Sequence, residues 1–231
     1  SAASDVYKRQ LYGGSRAISQ FLQITKRLRL LFAALVFCVA MAPARAAGPI
    51  QMVVLGDSLS AGYLLPQDAA FPAVLERALR AQGMAIEIAN AGVSGDTSRG
   101  GLERLDWAVP EGTQAVLLEL GANDMLRGID PAQTQNALDQ IITRLKARGV
   151  RVLLAGMLAS PSLGKDYGDR FNAIYPELAK KHDIPLYPFF LTGVAGDRNL
   201  NLDDGMHPNR KGVEMMVQSI LPTVTLFLSG L

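Results

Sequence analysis

Five strand-length runs, "QMVVLG", "MAIEIAN", "QAVLLELG", "VRVLLAG" and "IPLYPFF", recur from Gln51 onward with long helical patterns between them. A strand with one wet face alternates apolar and polar side chains. Runs that are apolar at nearly every position need cover on both faces, the condition of a parallel sheet between two helical layers. Short strands alternating with helices therefore predict an α/β fold: a doubly wound three-layer sandwich with roughly five parallel strands joined by right-handed crossovers.

Four helices are expected between and after the strands. "DAAFPAVLERALRAQG" opens with Asp68 as a cap and stops at Gly83, and "DPAQTQNALDQIITRLKARG" is capped by Asp130, with Pro131 in the first turn and Gly149 at its end. "YGDRFNAIYPELAKKH" and "NRKGVEMMVQSILPTVTLFL" supply the other two, the last crossed by Pro222. In such a sheet ligands bind outside the carboxyl ends of the strands. The loops after the first four strands, Gly56-Asp57-Ser58, "NAGVSGDT", "GANDMLRG" and "LASPSLG", are rich in small residues and fall on that edge together.

The segment ahead of the first strand belongs to a different class. "TKRLRL", "LLFAALVFCVAMA" and "PARAAG" have the basic, apolar and small-residue parts of a secretory signal peptide, read over residues 25–46 with cleavage after Ala46. The apolar run is too short to span a bilayer comfortably and ends at a proline. Residues 1–24 are read as a non-native or misread leader, and residues 47–231 as one domain, a size in keeping with a single core. The single cysteine, Cys38, lies in the apolar part of the signal, which leaves the mature chain without a disulfide or a thiol nucleophile. Of 23 basic and 21 acidic residues, seven basic and one acidic lie in the first 46, which leaves 16 against 20, a net charge of −4. A mildly acidic domain without basic runs is a poor partner for nucleic acid, and no second apolar span offers a membrane anchor after processing. The expected location is the periplasm of a Gram-negative bacterium or the medium, and the expected state a monomer.

The chain contains two histidines. His182, in "KKHDIP", sits at a helix C-terminus, where the dipole explains it. His207, in "DDGMHPNRKG", follows Asp204 by three residues, so the carboxylate can accept a hydrogen bond from one ring N–H, fix the tautomer and stabilise an imidazolium. A serine hydroxyl becomes a useful nucleophile only beside such a base. Ser58, at the end of the first strand, is the candidate, although Gly56-Asp57-Ser58-Leu59-Ser60 is not the Gly-x-Ser-x-Gly elbow. Oxyanion donors are available from the Ser58 N–H, the backbone of Gly95, which has no side chain to block approach, and the amide of Asn123. Singly, Gly95 and Asn123 are ordinary turn residues; on one sheet edge they make a set. Two separated histidines and scattered aspartates match no metal-ligand spacing.

"GDSLS", "NAGVSGDT", "GANDMLRG" and "DDGMHPN" resemble, in order, the four motif blocks of the SGNH or GDSL hydrolases, and the wording around them is similar to the bacterial multifunctional thioesterase/arylesterase/lysophospholipase group. The likeness runs from about Gln51 to the last helix. It implies Ser58 as nucleophile, Gly95 and Asn123 as oxyanion donors, and Asp204 with His207 completing the triad, Asp204 being preferred to Asp203 because it directly precedes the glycine. It further implies a flavodoxin-like sheet, no cofactor, and a small-molecule acyl ester or thioester as substrate. Met125, Leu126 and Leu163 are expected to line an acyl channel, and Asp57, Asp96 and Asp124 to hold loop backbone. The alternatives are a carbohydrate or short-chain O-acetyl esterase and, in another class, a non-catalytic lipid- or carbohydrate-binding module.

Overall fold

Five parallel strands, β1 (Ile50–Gly56), β2 (Ile86–Gly92), β3 (Ala115–Leu118), β4 (Arg151–Ala155) and β5 (Leu186–Tyr187), pair in the order β2-β1-β3-β4-β5. This computed structural model describes Lys26 and residues 48–231; the rest of the expected leader and signal peptide, with Cys38, lies outside the described residues. Gly48–Leu231 forms one compact unit. The strand order reverses between β1 and β3, so the crevice beyond their carboxyl ends is the switch point of a flavodoxin-like sheet. Register aligns those ends: Leu55 pairs with Leu118, and Gly56 with Gly92.

The apolar runs behave as their composition requires. Val54, Leu55, Leu117, Leu118, Leu153 and Leu154 are completely buried. Edge strand β2 differs: Ile86 is buried whereas Glu87 and Asn90 are exposed, because its outer side lacks a neighbour. The run "IPLYPFF" yields only a two-residue strand. Pro185 and Pro188 flank it and have no N–H to give the ladder.

The helices are α1 (Ser58–Ala61), α2 (Phe71–Ala81), α3 (Ser98–Glu103), α4 (Leu105–Ala108), α5 (Ala122–Leu126), α6 (Pro131–Ala147), α7 (Lys165–His182) and α8 (Arg210–Leu228). α2 packs with α8, and α6 with α7. Right-handed crossovers from a sheet that reverses direction place these pairs on opposite faces. On α2, Leu75 and Leu79 share one side and are both fully buried, each contributing about 1.5–3 kcal/mol of apolar transfer free energy.

Three boundaries depart from the sequence reading. Asp68 does not cap α2: it lies in a 3-10 turn over Gln67–Ala69, and the helix begins at Phe71 behind Ala70. Pro72 sets that start, since its missing N–H belongs in a first turn. α7 starts at Lys165, two residues before Tyr167, and carries a Lys165–Asp169 ion pair across its first turn. α1 and α5 fall in stretches read as loops, and α3 and α4 in residues 98–108, to which the sequence reading gives no element; these helices of four to six residues are too short to show a period. Asp130, by contrast, accepts the Ala132 N–H at 3.0 Å, with Pro131 in the first turn of α6, as expected.

Candidate active site

β1 runs straight into α1 through Asp57. The Asp57 carboxylate accepts the Leu59 N–H at 3.0 Å and so caps the one-turn helix whose first residue is Ser58. This places Ser58 at the switch point, with 8% of its surface exposed.

The opposite wall is the segment before α8. Leu202 N–H donates to the His207 carbonyl at 2.7 Å, Asn209 N–H donates to Leu200 O at 2.9 Å, and Asn201 bridges Pro208. Asn209 caps α8 by accepting the Gly212 N–H and also donates to the carbonyls of Asn199 and Asn201. Asp204 Oδ1 accepts the backbone N–H groups of Met206 and His207 at 2.9 and 3.0 Å, and its Oδ2 lies 2.7 Å from His207 Nδ1. The His207 and Met206 amides hold its carboxyl at about 2, below the usual range, helped by the imidazole. With Nδ1–H given to this carboxylate, Nε2 is left as an acceptor, and it stands 2.9 Å from Ser58 Oγ. The Tyr63 ring lies against the imidazole, centroids 4.4 Å apart. Asp203 is exposed and has no part in this chain of contacts.

Asn123 sits in α5, at the end of β3. Its Nδ2 donates to Asp57 Oδ2 at 3.0 Å, which fixes which way the amide faces. Gly95, at φ +81°, lines the same cleft, and Arg127 donates to its carbonyl at 2.6 Å. A side chain at Gly95 would meet nothing closer than Arg127, 3.7 Å away, so the glycine answers a backbone need for left-handed geometry. Ser58, His207, Asn123 and Gly95 thus all border one space, and Asp204 reaches it only through its contact with His207.

Asp57 holds loop backbone, as expected, and Asn123 as well. Asp96 does not: it pairs with Arg104 at 2.6 Å, both side chains largely buried, because the Arg104 guanidinium reaches in to bind the carbonyls of Ala91 and Gly56. Asp124 ties two loops together, accepting Ser98 N–H and Oγ–H and the Thr134 hydroxyl. His182 lies away from the cleft, 2.6 Å from Asp139, which adds a carboxylate to the helix-dipole explanation.

The cleft has a volume of about 750 Å³. Met125 and Leu126 line it, along with Met157, Leu158, Phe189 and Met206. Leu163 does not; it packs against the core from the 3-10 turn Pro161–Leu163. The sequence reading missed Met157, Phe189 and the orienting role of Asp57. It also passed over Glu119, although a lone acid in the apolar run "VLLELG" is a visible signal. Among the described residues no group of three His, Cys, Asp or Glu could hold a metal ion.

The GDSL-like Lipase/Acylhydrolase family matches residues 54–215, a span that contains the whole cleft. The chain belongs to this family. It is accordingly a hydrolase of ester and thioester bonds. An arylesterase of Vibrio mimicus is 40% identical over 182 residues, covering 78% of this chain and 90% of the relative. Thioesterase 1/protease 1/lysophospholipase L1 of Escherichia coli (strain K12) is 40% identical over 185 residues, covering 78% and 88%. Among solved structures, TesA superposes with a TM-score of 0.73 at 36% identity, covering 77% of this GDSL-family chain and 99% of its own. AlinE4, an SGNH-hydrolase family esterase, gives 0.67 at 42% identity, covering 78% and 96%.

Proposed function

We propose that this GDSL-family hydrolase cleaves acyl esters and acyl thioesters with Ser58 as nucleophile, His207 as general base and Asp204 as the carboxylate that orients it. The observation carrying the reading is the unbroken relay of 2.7 Å from Asp204 to His207 and 2.9 Å from His207 to Ser58. Ser58 Oγ attacks the carbonyl carbon while Nε2 takes its proton, and Asp204 stabilises the imidazolium. The oxyanion is held by the N–H groups of Ser58 and Gly95 and by the Asn123 amide. The imidazolium then protonates the leaving alcohol or thiol. Water, activated by the same nitrogen, releases the acid and frees Ser58.

The apolar lining favours a fatty acyl chain over acetyl, and the names of the relatives, arylesterase and thioesterase/lysophospholipase, support the same range. The protein acts as a monomer in the periplasm or medium once its signal peptide is removed; no helix among the described residues is long and apolar enough to cross a membrane. Turnover of p-nitrophenyl esters and acyl-CoA thioesters from two to sixteen carbons tests the reading. Wild type labels with a fluorophosphonate and prefers medium or long chains, and Ser58→Ala does neither while keeping its fold. A strong preference for acetyl identifies an O-acetyl esterase instead, and a folded wild type that never labels identifies a binding module.

A further inference from the structure

Glu119 follows the last residue of β3, directly beneath the nucleophile turn, and has no exposed surface. A buried carboxylate persists only with a cation or a full set of donors. Its surroundings supply neither. Oε2 accepts the Ser60 hydroxyl at 2.7 Å and the Asp57 N–H at 3.2 Å, while Oε1 has no hydrogen-bond partner among the described residues. The titratable groups facing it are Asp57, from the turn after β1, and Tyr175, from α7. The cation held at this strand end, Arg104, directs its donors to Asp96, Ala91 O and Gly56 O.

We propose that Glu119 is a positioning residue that works as a neutral carboxylic acid, clamping Asp57 and Ser60 on either side of Ser58 so that Asp57 alone carries negative charge. The inference rests on the catalytic reading above. Oε2 grips the turn one residue before the nucleophile and two residues after it. Asp57, held in this way, caps α1 and orients the Asn123 amide. A second charge at Glu119 would oppose ionisation of Asp57 and weaken the acceptor that Asn123 needs. Burial, and then the Asp57 charge, push the Glu119 carboxyl well above the ordinary range, further than the Ser60 and Asp57 hydrogen bonds can offset. Burial raises Asp57 only to about 6. Both Asp57 oxygens accept hydrogen bonds whereas Glu119 Oε1 accepts none among the described residues, so of the two carboxyls Glu119 is the one that keeps the proton.

Glu119→Gln, which keeps the shape without an acid, is expected to hydrolyse p-nitrophenyl butyrate with kcat/KM within about threefold of wild type and a superimposable pH profile. Glu119→Ala removes the acceptor and is expected to lose about tenfold or more in kcat with KM nearly unchanged, in the manner of a displaced oxyanion donor. In ¹³C-edited infrared difference spectra at pH 8, wild type minus Glu119→Gln should contain the C=O stretch of a protonated carboxylic acid. Its absence, a shifted pH profile in Glu119→Gln, or a fully active Glu119→Ala would overturn the proposal. If Glu119→Ala does not fold, the glutamine variant and the infrared band still decide. The band does not depend on turnover, so a wild type that fails to label with fluorophosphonate refutes the catalytic reading separately.

Discussion

The Asn123 amide nitrogen donates to Asp57 Oδ2 at 3.0 Å, which ties the third motif loop to the residue just before Ser58, the proposed nucleophile. In Asp57→Asn a side-chain nitrogen can take the place of that acceptor, and Asn123 must then rotate its carbonyl oxygen toward it. The rotation carries the Asn123 N–H groups away from the proposed oxyanion site. Asp57→Asn is expected to lower kcat by about 10²–10³ with little change in KM, the effect of losing one oxyanion donor. Steady-state kinetics on p-nitrophenyl butyrate check this, and an unchanged kcat would sever Asp57 from the oxyanion hole.

Asp57 and Asp204 should leave opposite marks on stability. Burial raises the folded Asp57 carboxyl from 3.8 to about 6, so the native state binds this proton more tightly than the unfolded chain does. Its contribution therefore weakens folding as pH rises from about 4 to 6, by at most about 3 kcal/mol. Asp204, held at about 2 by the His207 and Met206 amides, contributes stability that is full above about 4 and is lost as pH falls toward 2. Urea unfolding across pH 2–7 should show both slopes, with Glu119, raised by burial, adding to the upper one; in Asp57→Asn the upper slope should become shallower while the Glu119 part remains. An upper slope unchanged in this variant would mean that Asp57 takes no part in it.

The layers of the fold could be read because a buried parallel strand needs apolar residues on both faces, as Val54, Leu117 and Leu154 display. The candidate site could be read because Asp204 and His207 are three residues apart and Ser58 stands at a strand end, and the structure brings the three into contact. What escaped was set by contacts across the chain. Asp68 looked like a cap until Pro72 moved the helix start, and Asp96 looked like a turn residue until Arg104, eight positions on, paired with it. Leu163 and Met157 are equally apolar in sequence. Only the path of the chain after β4 places one against the core and the other in the cleft.

Two glycines of the active-site loops should respond differently to alanine. Gly121 has φ +120°, and a Cβ there would overlap the Tyr175 hydroxyl, which donates to Leu120 O at 2.9 Å inside the core. Gly121→Ala combines backbone strain with overpacking and should cost about 2–5 kcal/mol. Gly95→Ala meets no close neighbour and should cost about 1–2 kcal/mol from its left-handed backbone alone. Denaturant midpoints of the two variants measure the difference; equal losses would mean that the Tyr175 contact relaxes freely.

Tyr63 covers one face of the His207 imidazole at 4.4 Å, with the ring planes inclined by 37°. The imidazole must keep Nε2 aimed at Ser58 while Nδ1 stays on Asp204, and a ring packed on its face opposes rotation out of that plane. Contacts of this kind contribute about 0.5–1.5 kcal/mol, so Tyr63→Ala should lower kcat about two- to twelvefold. The phenolic oxygen takes no part in the contact, and Tyr63→Phe should retain nearly all activity. Because the effect acts through imidazole orientation, Tyr63→Ala should also slow fluorophosphonate labelling of Ser58 by a similar factor. If the phenylalanine variant lost as much as the alanine one, the hydroxyl rather than the ring would be the working part of Tyr63.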